Sequence, residues 1–165
     1  MKLRPAHAVG LLVAATLLSS GHRFDNDFVF DDADVIEEGS VIHDFANLGA
    51  VWTHHTMFAS SADQGSVQSV DTYRPVPITL FLIDSAIGGR ATWPYHLTNL
   101  LLHLLCVLGV FWAALRWLDD LPAALYGALV FAVHPWAVEA HVWINGRSDP
   151  ASLAFGLASP LGRAQ

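Results

Sequence analysis

WPYHLTNLLLHLLCVLGVFWAALRW, residues Trp93 to Trp117, is the stretch that decides the fold. The residues from Ala91 to Leu115 include no Asp, Glu, Lys or Arg. A helix needs about 20 mainly apolar residues to cross the hydrocarbon layer of a bilayer. Aromatic residues at both ends, as here, are typical of segments that meet the bilayer interface. The stretch therefore predicts a transmembrane helix.

The rest of the chain extends this prediction to several membrane helices. Hydrophobic residues make up 53% of the 165 residues and charged residues 14%, whereas soluble domains carry roughly 25% charged residues. A second uncharged run covers Leu121–Val138, and Pro150–Leu161 begins another apolar segment. We predict an all-α, multi-pass membrane protein with three to four transmembrane helices, in segments 1–22 and 93–165, with an outer polar loop at 134–149.

The N-terminal segment, residues 1–22, admits two interpretations. Lys2 and Arg4 precede an apolar stretch from Ala6 to Leu18, and small polar residues follow. This order is typical of a cleavable signal peptide. It also fits a short first transmembrane helix, which we favour because further apolar segments follow. In both interpretations the basic start favours a cytoplasmic N-terminus, so the next polar segment lies outside.

Residues 23–92 are expected to form that outer segment, with helices lying on the membrane surface. Spaced apolar residues between Val35 and Phe58 fit amphipathic interfacial helices. Ser60–Val70 is rich in Ser, Gln and Gly, which indicates a loop. Pro75–Ile87 is apolar but short and contains Asp84, so we expect an interfacial or re-entrant helix there.

An acidic cluster is the first candidate for chemistry. Seven of the fifteen Asp and Glu residues fall between Asp25 and Glu38, including the adjacent pair Asp31 and Asp32. Adjacent carboxylates repel each other, so one can keep a proton while its neighbour stays ionised. Such a pair can serve as a general base or hold a divalent cation. A solvated acidic loop is the alternative, although Phe28-Val29-Phe30 would anchor the pair at the membrane surface.

Two basic motifs are candidates for binding a phosphate group. Segment 134–149 contains His134, Glu139 and Arg147, and Arg74 precedes a proline at the start of an apolar segment. A guanidinium fork suits bidentate phosphate binding, and a nearby His can donate to a phosphate oxygen. An ordinary loop with a capped helix start is the alternative for 134–149. Zinc is disfavoured because the chain has no His-Glu-x-x-His and no cysteine pair.

His96, Asn99 and His103 form a polar face inside the long apolar stretch. Their offsets of three and seven residues place them on one side of a helix. Polar groups at membrane depth are costly, so they should point into the bundle or into a wet cavity. We expect interhelical hydrogen bonds, with contact to a ligand as the alternative.

Composition excludes some functions. The single cysteine, Cys106, rules out a disulfide framework within the chain. The net charge is −7 and no basic stripe exists, so nucleic-acid binding has no support. One Lys against seven Arg, with abundant Ala, Gly and Leu, favours a GC-rich bacterial genome and hence the bacterial cytoplasmic membrane.

Five motifs follow one another along the chain: Asn26–Asp32 (NDFVFDD), Tyr73–Val76 (YRPV), Tyr95–His103 (YHLTNLLLH), Phe131–Glu139 (FAVHPWAVE) and Gly146–Asp149 (GRSD). The series resembles the N-terminal part of the membrane-embedded GT-C glycosyltransferases. It is most similar to the transmembrane and tetratricopeptide-repeat O-mannosyltransferases and their bacterial relatives. The resemblance covers about Phe24 to Leu157.

The resemblance implies a mannose-like sugar donor carried on a polyprenyl phosphate, and a protein or glycan hydroxyl as acceptor, at the outer membrane face. It implies that Asp31 or Asp32 is catalytic and deprotonates or orients the acceptor hydroxyl. It also implies that four residues surround the lipid phosphate: Arg74, His134, Glu139 and Arg147. No cofactor is implied, although a divalent cation at Asp31 and Asp32 is left open.

Family members have many more transmembrane helices, so the resemblance predicts a truncated GT-C-like bundle that is inactive alone. Two rival functions stay open. A transporter or channel subunit would use the in-membrane histidines as a proton path but leaves the acidic pair unexplained. A non-catalytic membrane scaffold is the second rival.

Overall fold

The computed structural model describes residues 4–21, 24, 26–29, 32, 36, 41–53 and 73–158. Within these residues every regular element is helical, with seven α-helices, short 3-10 turns and no strand. The all-α prediction is therefore confirmed. Asp31 and the loop predicted at Ser60–Val70 lie outside the described residues.

The chain divides into two units, which we treat separately. The central unit comprises Phe24–Thr98, and the terminal unit comprises Met1–Arg23 with Asn99–Gln165. The division falls within α4 (Trp93–Leu118), the helix predicted from the long apolar stretch. The first six residues of α4 belong to the central unit and the remaining twenty to the terminal unit.

Two aspartates end α4 and start the next helix, α5 (Leu121–Val133). Asp119 has a φ of 50°, a left-handed conformation that Asp tolerates better than most residues. Its amide donates to the Leu115 carbonyl at 3.0 Å. The Asp120 side chain then caps α5 by accepting a hydrogen bond from the Ala123 amide at 2.9 Å. A tight polar turn thus joins two apolar helices.

The core of the terminal unit forms where α1 (Pro5–Ser19) packs against α5. Along α5, the fully buried residues Ala124, Ala128 and Ala132 recur every four positions and so share one face. A face of small side chains lets two helix backbones approach closely, as is common in membranes. The cluster combines residues of α1, α4 and α5: Ala8, Leu12, Val107, Phe111, Ala124, Leu125, Ala128 and Ala132.

Other faces of the same helices expose large apolar side chains. Leu18 is 82% exposed and Tyr126 72% exposed. The set also includes Leu11, Leu105, Trp112 and Val130. Large exposed apolar surfaces are unusual in soluble monomers, and lipid tails are as apolar as leucine. These faces fit helices that contact lipid.

Among the described residues, α4 is the one helix long and apolar enough by itself to cross a membrane. A second candidate is the pair α5 and α6 (Pro135–Val142), taken as one span bent by 52° at its break. The apolar helices α1 and α3 (Pro75–Gly88) are shorter, with 15 and 14 residues. One or two spans are therefore supported by length, and a total of three to four stays a prediction.

Segment 134–149 differs from the loop that the sequence predicted. It contains α6, then a 3-10 turn at Asn145–Arg147, and it leads into α7 (Ser148–Ala158). Pro135 favours a helix start because its fixed φ suits the first helical position. The His134 ring supplies the cap, accepting from the Trp136 amide at 3.4 Å. The polar residues that indicated a loop therefore cap and flank a short helix.

The central unit is built on α3. Arg74 precedes it, Pro75 stands in its first turn, and Gly89 with a φ of 61° ends it. A helix at this place was predicted, and its position relative to a membrane stays a prediction. The amphipathic segment expected from Val35 to Phe58 contains, where it is described, two 3-10 turns at Val41–His43 and Phe45–Asn47, followed by α2 (Leu48–Thr53).

Candidate functional site

Asp32 is the described member of the predicted catalytic pair, and its side chain is fully buried. Its Oδ2 accepts a hydrogen bond from the Val29 amide at 3.3 Å, and its own amide donates to the Val29 carbonyl at 3.1 Å. These two bonds close a turn that fixes the carboxylate. The alternative of a solvated acidic loop suits Asp27, which is exposed, but not Asp32.

Aromatic side chains hold this acidic segment against the first turns of α4. Phe28 packs edge-on against Tyr95 with ring centroids 5.9 Å apart, and Phe24 packs edge-on against His96 at 6.4 Å. His96 Nε2 lies 3.2 Å from the Asn26 carbonyl oxygen, so Nε2 is the donor. The sequence predicted that Phe28 would anchor the segment at the membrane surface. In the structure Phe28 contacts Tyr95 of α4, and the anchoring of the segment at a membrane surface stays a prediction.

Arg74 belongs to the same central unit and is exposed. Its carbonyl accepts the Ile78 amide of α3 at 3.3 Å. The preceding residue, Tyr73, donates its hydroxyl to the Trp52 carbonyl at 2.9 Å, and the Trp52 indole donates to Thr79 at 3.0 Å. The backbone around Arg74 is thus tied to both α2 and α3, while the guanidinium stays accessible.

Arg147 belongs to the terminal unit and is the largest fully buried side chain among the described residues. It ends the 3-10 turn Asn145–Arg147, where its amide donates to the Ile144 carbonyl at 3.4 Å. A Cβ added at Gly146 would lie 2.7 Å from the Ala140 carbonyl oxygen, so the turn lies directly on the last turn of α6. A guanidinium removed from water interacts strongly with anions, because the local dielectric is low.

His134 and Glu139 are both exposed. His134 precedes α6, and Arg147 follows the other end of that helix. An eight-residue helix is about 12 Å long, and His134 and Arg147 flank its two ends. The structure thus brings His134, Glu139 and Arg147 onto one short segment of the terminal unit, and it places Asp32 and Arg74 in the central unit.

His96, Asn99 and His103 are all buried, and each has a backbone hydrogen bond. His96 contacts the central unit, as described above. In the terminal unit, Asn99 donates to the carbonyls of Trp143 and Ile144 at 3.1 and 3.2 Å. His103 Nε2 lies 3.2 Å from the Ala132 carbonyl near the end of α5. These contacts are hydrogen bonds to backbone carbonyls of other segments.

A cluster around His141 had no role in the sequence analysis. The ring of His141 stacks on that of His103 with centroids 3.9 Å apart. His141 Nδ1 lies 2.7 Å from the Ala137 carbonyl oxygen and is therefore its donor. In the neutral ring Nε2 is then the acceptor, and the Ser20 hydroxyl donates to it at 3.1 Å. No sequence signal joins Ser20 and His141, because they lie 121 positions apart.

Among the described residues, no group of three or more His, Cys, Asp or Glu is placed to hold a metal ion. The cation considered at Asp31 and Asp32 involves a residue outside the described part of the chain, so it stays a prediction.

Known proteins resemble this chain over nearly all of its length. Protein O-mannosyl-transferase TMTC4 of Mus musculus is 32% identical over 164 residues, which cover 91% of the chain and 22% of that protein. Protein O-mannosyl-transferase TMTC2 of Homo sapiens is 34% identical over 164 residues, which cover 93% of the chain and 17% of that protein. Protein O-mannosyl-transferase TMTC1 of Homo sapiens is 31% identical over 159 residues, which cover 94% of the chain and 18% of that protein. The chain spans about a fifth of the length of these curated relatives. Neither a protein-family model nor a solved structure matches the chain.

Proposed function

Because this chain is a homologue of the protein O-mannosyl-transferases, we propose that it forms part of a membrane glycosyltransferase. The sugar, mannose or a close analogue, passes from a polyprenyl-phosphate donor to a hydroxyl group of a protein or glycan at the outer membrane face. The observation that carries the proposal is the homology itself, since it extends over 91% of the chain at 32% identity.

In the proposed reaction the acceptor hydroxyl attacks the anomeric carbon of the donor sugar. The bond from that carbon to the phosphate oxygen breaks as the new carbon–oxygen bond forms. The hydroxyl proton passes to a carboxylate of the pair Asp31 and Asp32, and the lipid phosphate leaves with the bonding electrons. The burial of Asp32 supports this role, because a carboxylate that is shielded from bulk water takes its proton from the acceptor hydroxyl and not from water.

Two arginines offset the charge that develops on the leaving phosphate. Arg147 provides a buried guanidinium, whose interaction with an anion is strong, and Arg74 provides an exposed one. His134 and Glu139 are both exposed, and in this proposal they complete the surroundings of the phosphate.

The proposed membrane arrangement places the helix break at His134 near the donor. Non-helical backbone at membrane depth is tolerated where it is buried in protein or lines a polar cavity. The 52° bend between α5 and α6 is such a break if the two helices form one span. This supports a multi-pass arrangement in which His134 borders a polar cavity. The shorter helices α1, α3 and α7 supply the remaining spans or interfacial segments.

The transporter alternative draws on a specific observation, the stack of His103 on His141 beside Ser20. Two histidines and a hydroxyl in contact are the components of a proton path. We favour the transferase, because a proton path gives no role to Asp32 and Arg147.

The test uses the complete product of the gene that encodes this chain, in membranes of a host without protein O-mannosyltransferases. Polyprenyl phosphate carrying radiolabelled mannose is added together with an acceptor protein, and label in protein is measured. Label transferred to protein hydroxyls is the expected result. Proton flux into liposomes without any transfer would contradict the transferase and favour the transporter.

A further inference from the structure

The turn that carries Arg147 is held by a side chain of α4. The Trp143 carbonyl accepts the Gly146 amide at 3.2 Å, and the Ile144 carbonyl accepts the Arg147 amide at 3.4 Å. Asn99 Nδ2 donates to the same two carbonyls, at 3.1 and 3.2 Å. Each carbonyl oxygen has two lone pairs, so one is used by the turn and the other by Asn99.

The orientation of the Asn99 amide is fixed by this arrangement. A flipped amide would direct Oδ1 at two carbonyl oxygens, which have no hydrogen to donate. With Nδ2 facing the carbonyls, Oδ1 is buried and has no hydrogen-bond partner among the described residues. A buried acceptor without a partner is destabilising, and an apolar residue of similar size would avoid that cost. The polar side chain at this position therefore acts through its two donor bonds.

The turn also has little freedom on its other side. Gly146 lies so close to Ala140 that a methyl group does not fit. Beyond the turn, Cys106 of α4 donates to the Pro150 carbonyl at 3.1 Å, and Gly109 receives the Leu157 side chain. Asn99 is therefore the α4 side chain that contacts the two carbonyls to which the turn itself is bonded, whereas the contact of Cys106 lies beyond the turn.

We propose that Asn99 is a positioning residue, whose side-chain amide holds the turn Asn145–Arg147 so that the Arg147 guanidinium meets the donor phosphate. This inference rests on the proposed function, since it requires that Arg147 binds that phosphate. Asn99 itself touches neither substrate.

The experiment compares Asn99→Leu and Asn99→Asp with a matched control, Cys106→Ala, in the complete gene product. Leucine removes both donors at similar volume, and aspartate turns two oxygens towards the carbonyls. Cys106 lies on the same helix, is equally buried, and donates to a backbone carbonyl outside the turn. Two readouts are taken. Hydrogen exchange at the amides of Gly146 and Arg147 reports the turn, and steady-state transfer gives KM for the donor and for the acceptor.

In both Asn99 variants we expect hydrogen exchange at these two amides to be about tenfold faster and the donor KM to be about tenfold higher. Changes of this size correspond to the loss of about one net hydrogen bond. The acceptor KM stays unchanged, and Cys106→Ala changes neither readout. Unchanged exchange at Gly146 and Arg147 would overturn the inference. Equal rises in both KM values would also overturn it, since they indicate a general loss of structure. Absence of transfer by the wild-type protein would instead reject the proposed function, while exchange still decides whether Asn99 holds the turn.

Discussion

The imidazole rings of His103 and His141 lie face to face, with centroids 3.9 Å apart and planes 10° apart. Each ring donates to a carbonyl close to the break between α5 and α6: His103 to Ala132 and His141 to Ala137. The last carbonyls of a helix have no partner within that helix, so His103 satisfies one of those at the end of α5. The stack places the His141 ring directly against the ring that caps the end of α5.

Replacing His141 with alanine should lower the free energy of unfolding by about 3 kcal/mol, because the change leaves a cavity and removes the buried hydrogen bond between Ser20 and His141. Reversible unfolding in mixed micelles, followed by circular dichroism, measures this. His7→Ala is the matched control, since His7 is exposed on α1. Equal stability of the two variants would mean that the stacked pair does not stabilise the terminal unit.

Gly146→Ala should displace the Arg147 turn, because the added methyl would meet the backbone oxygen of Ala140 at 2.7 Å and backbone cannot rotate away. We expect a loss of stability of about 2 kcal/mol, typical of overpacking, and weaker donor binding. Gly127→Ala is the control. A Cβ there meets nothing within 4 Å, and alanine favours helix over glycine. In thermal melts, Gly146→Ala should lower the melting temperature and Gly127→Ala should raise it. A similar change in both variants would contradict the close approach of Gly146 to Ala140.

Much of the helical framework could be predicted from the sequence. The uncharged run at 91–115, the Asp119-Asp120 turn and the proline at the start of α3 are local signals, and helices lie where these signals place them. In segment 134–149, which the sequence indicated as a polar loop with a capped helix start as the alternative, His134 caps a helix that begins at Pro135. Sequence composition does not separate these two uses of the same residues.

Fewer of the contacts in the candidate site could be predicted from the sequence. The spacing of Asn99 and His103 predicted that both would be buried, but nothing in the sequence paired Asn99 with Trp143 and Ile144. Ser20 and His141 are 121 positions apart, and neither residue indicates its partner by its place in the sequence. Tertiary packing creates such pairs, so they become visible in the structure.

The sequence-based topology predicts that the acidic segment and α6 face the outer side of the membrane. Single cysteines can test this in a Cys106→Ser background, because Cys106 is the one cysteine among these 165 residues. Val29→Cys and Trp136→Cys, both at exposed positions, should react with a membrane-impermeant maleimide on intact cells. Trp117→Cys, at the opposite end of α4, should react after permeabilisation. If only one of Val29→Cys and Trp136→Cys reacted on intact cells, the proposed catalytic and donor-binding residues would lie on opposite sides of the bilayer. That result would contradict the predicted topology.

The most direct test of the proposed transfer is the rate of a single turnover after removal of the acidic pair. Asp31→Asn combined with Asp32→Asn should slow mannose transfer by about 10²–10⁴-fold, the usual contribution of a general base, with insertion and thermal stability unchanged. Asp119→Asn combined with Asp120→Asn is the matched control, because asparagine also tolerates a left-handed φ and also caps helices. A transfer rate equal to that of the wild-type protein in the first double variant would contradict the account.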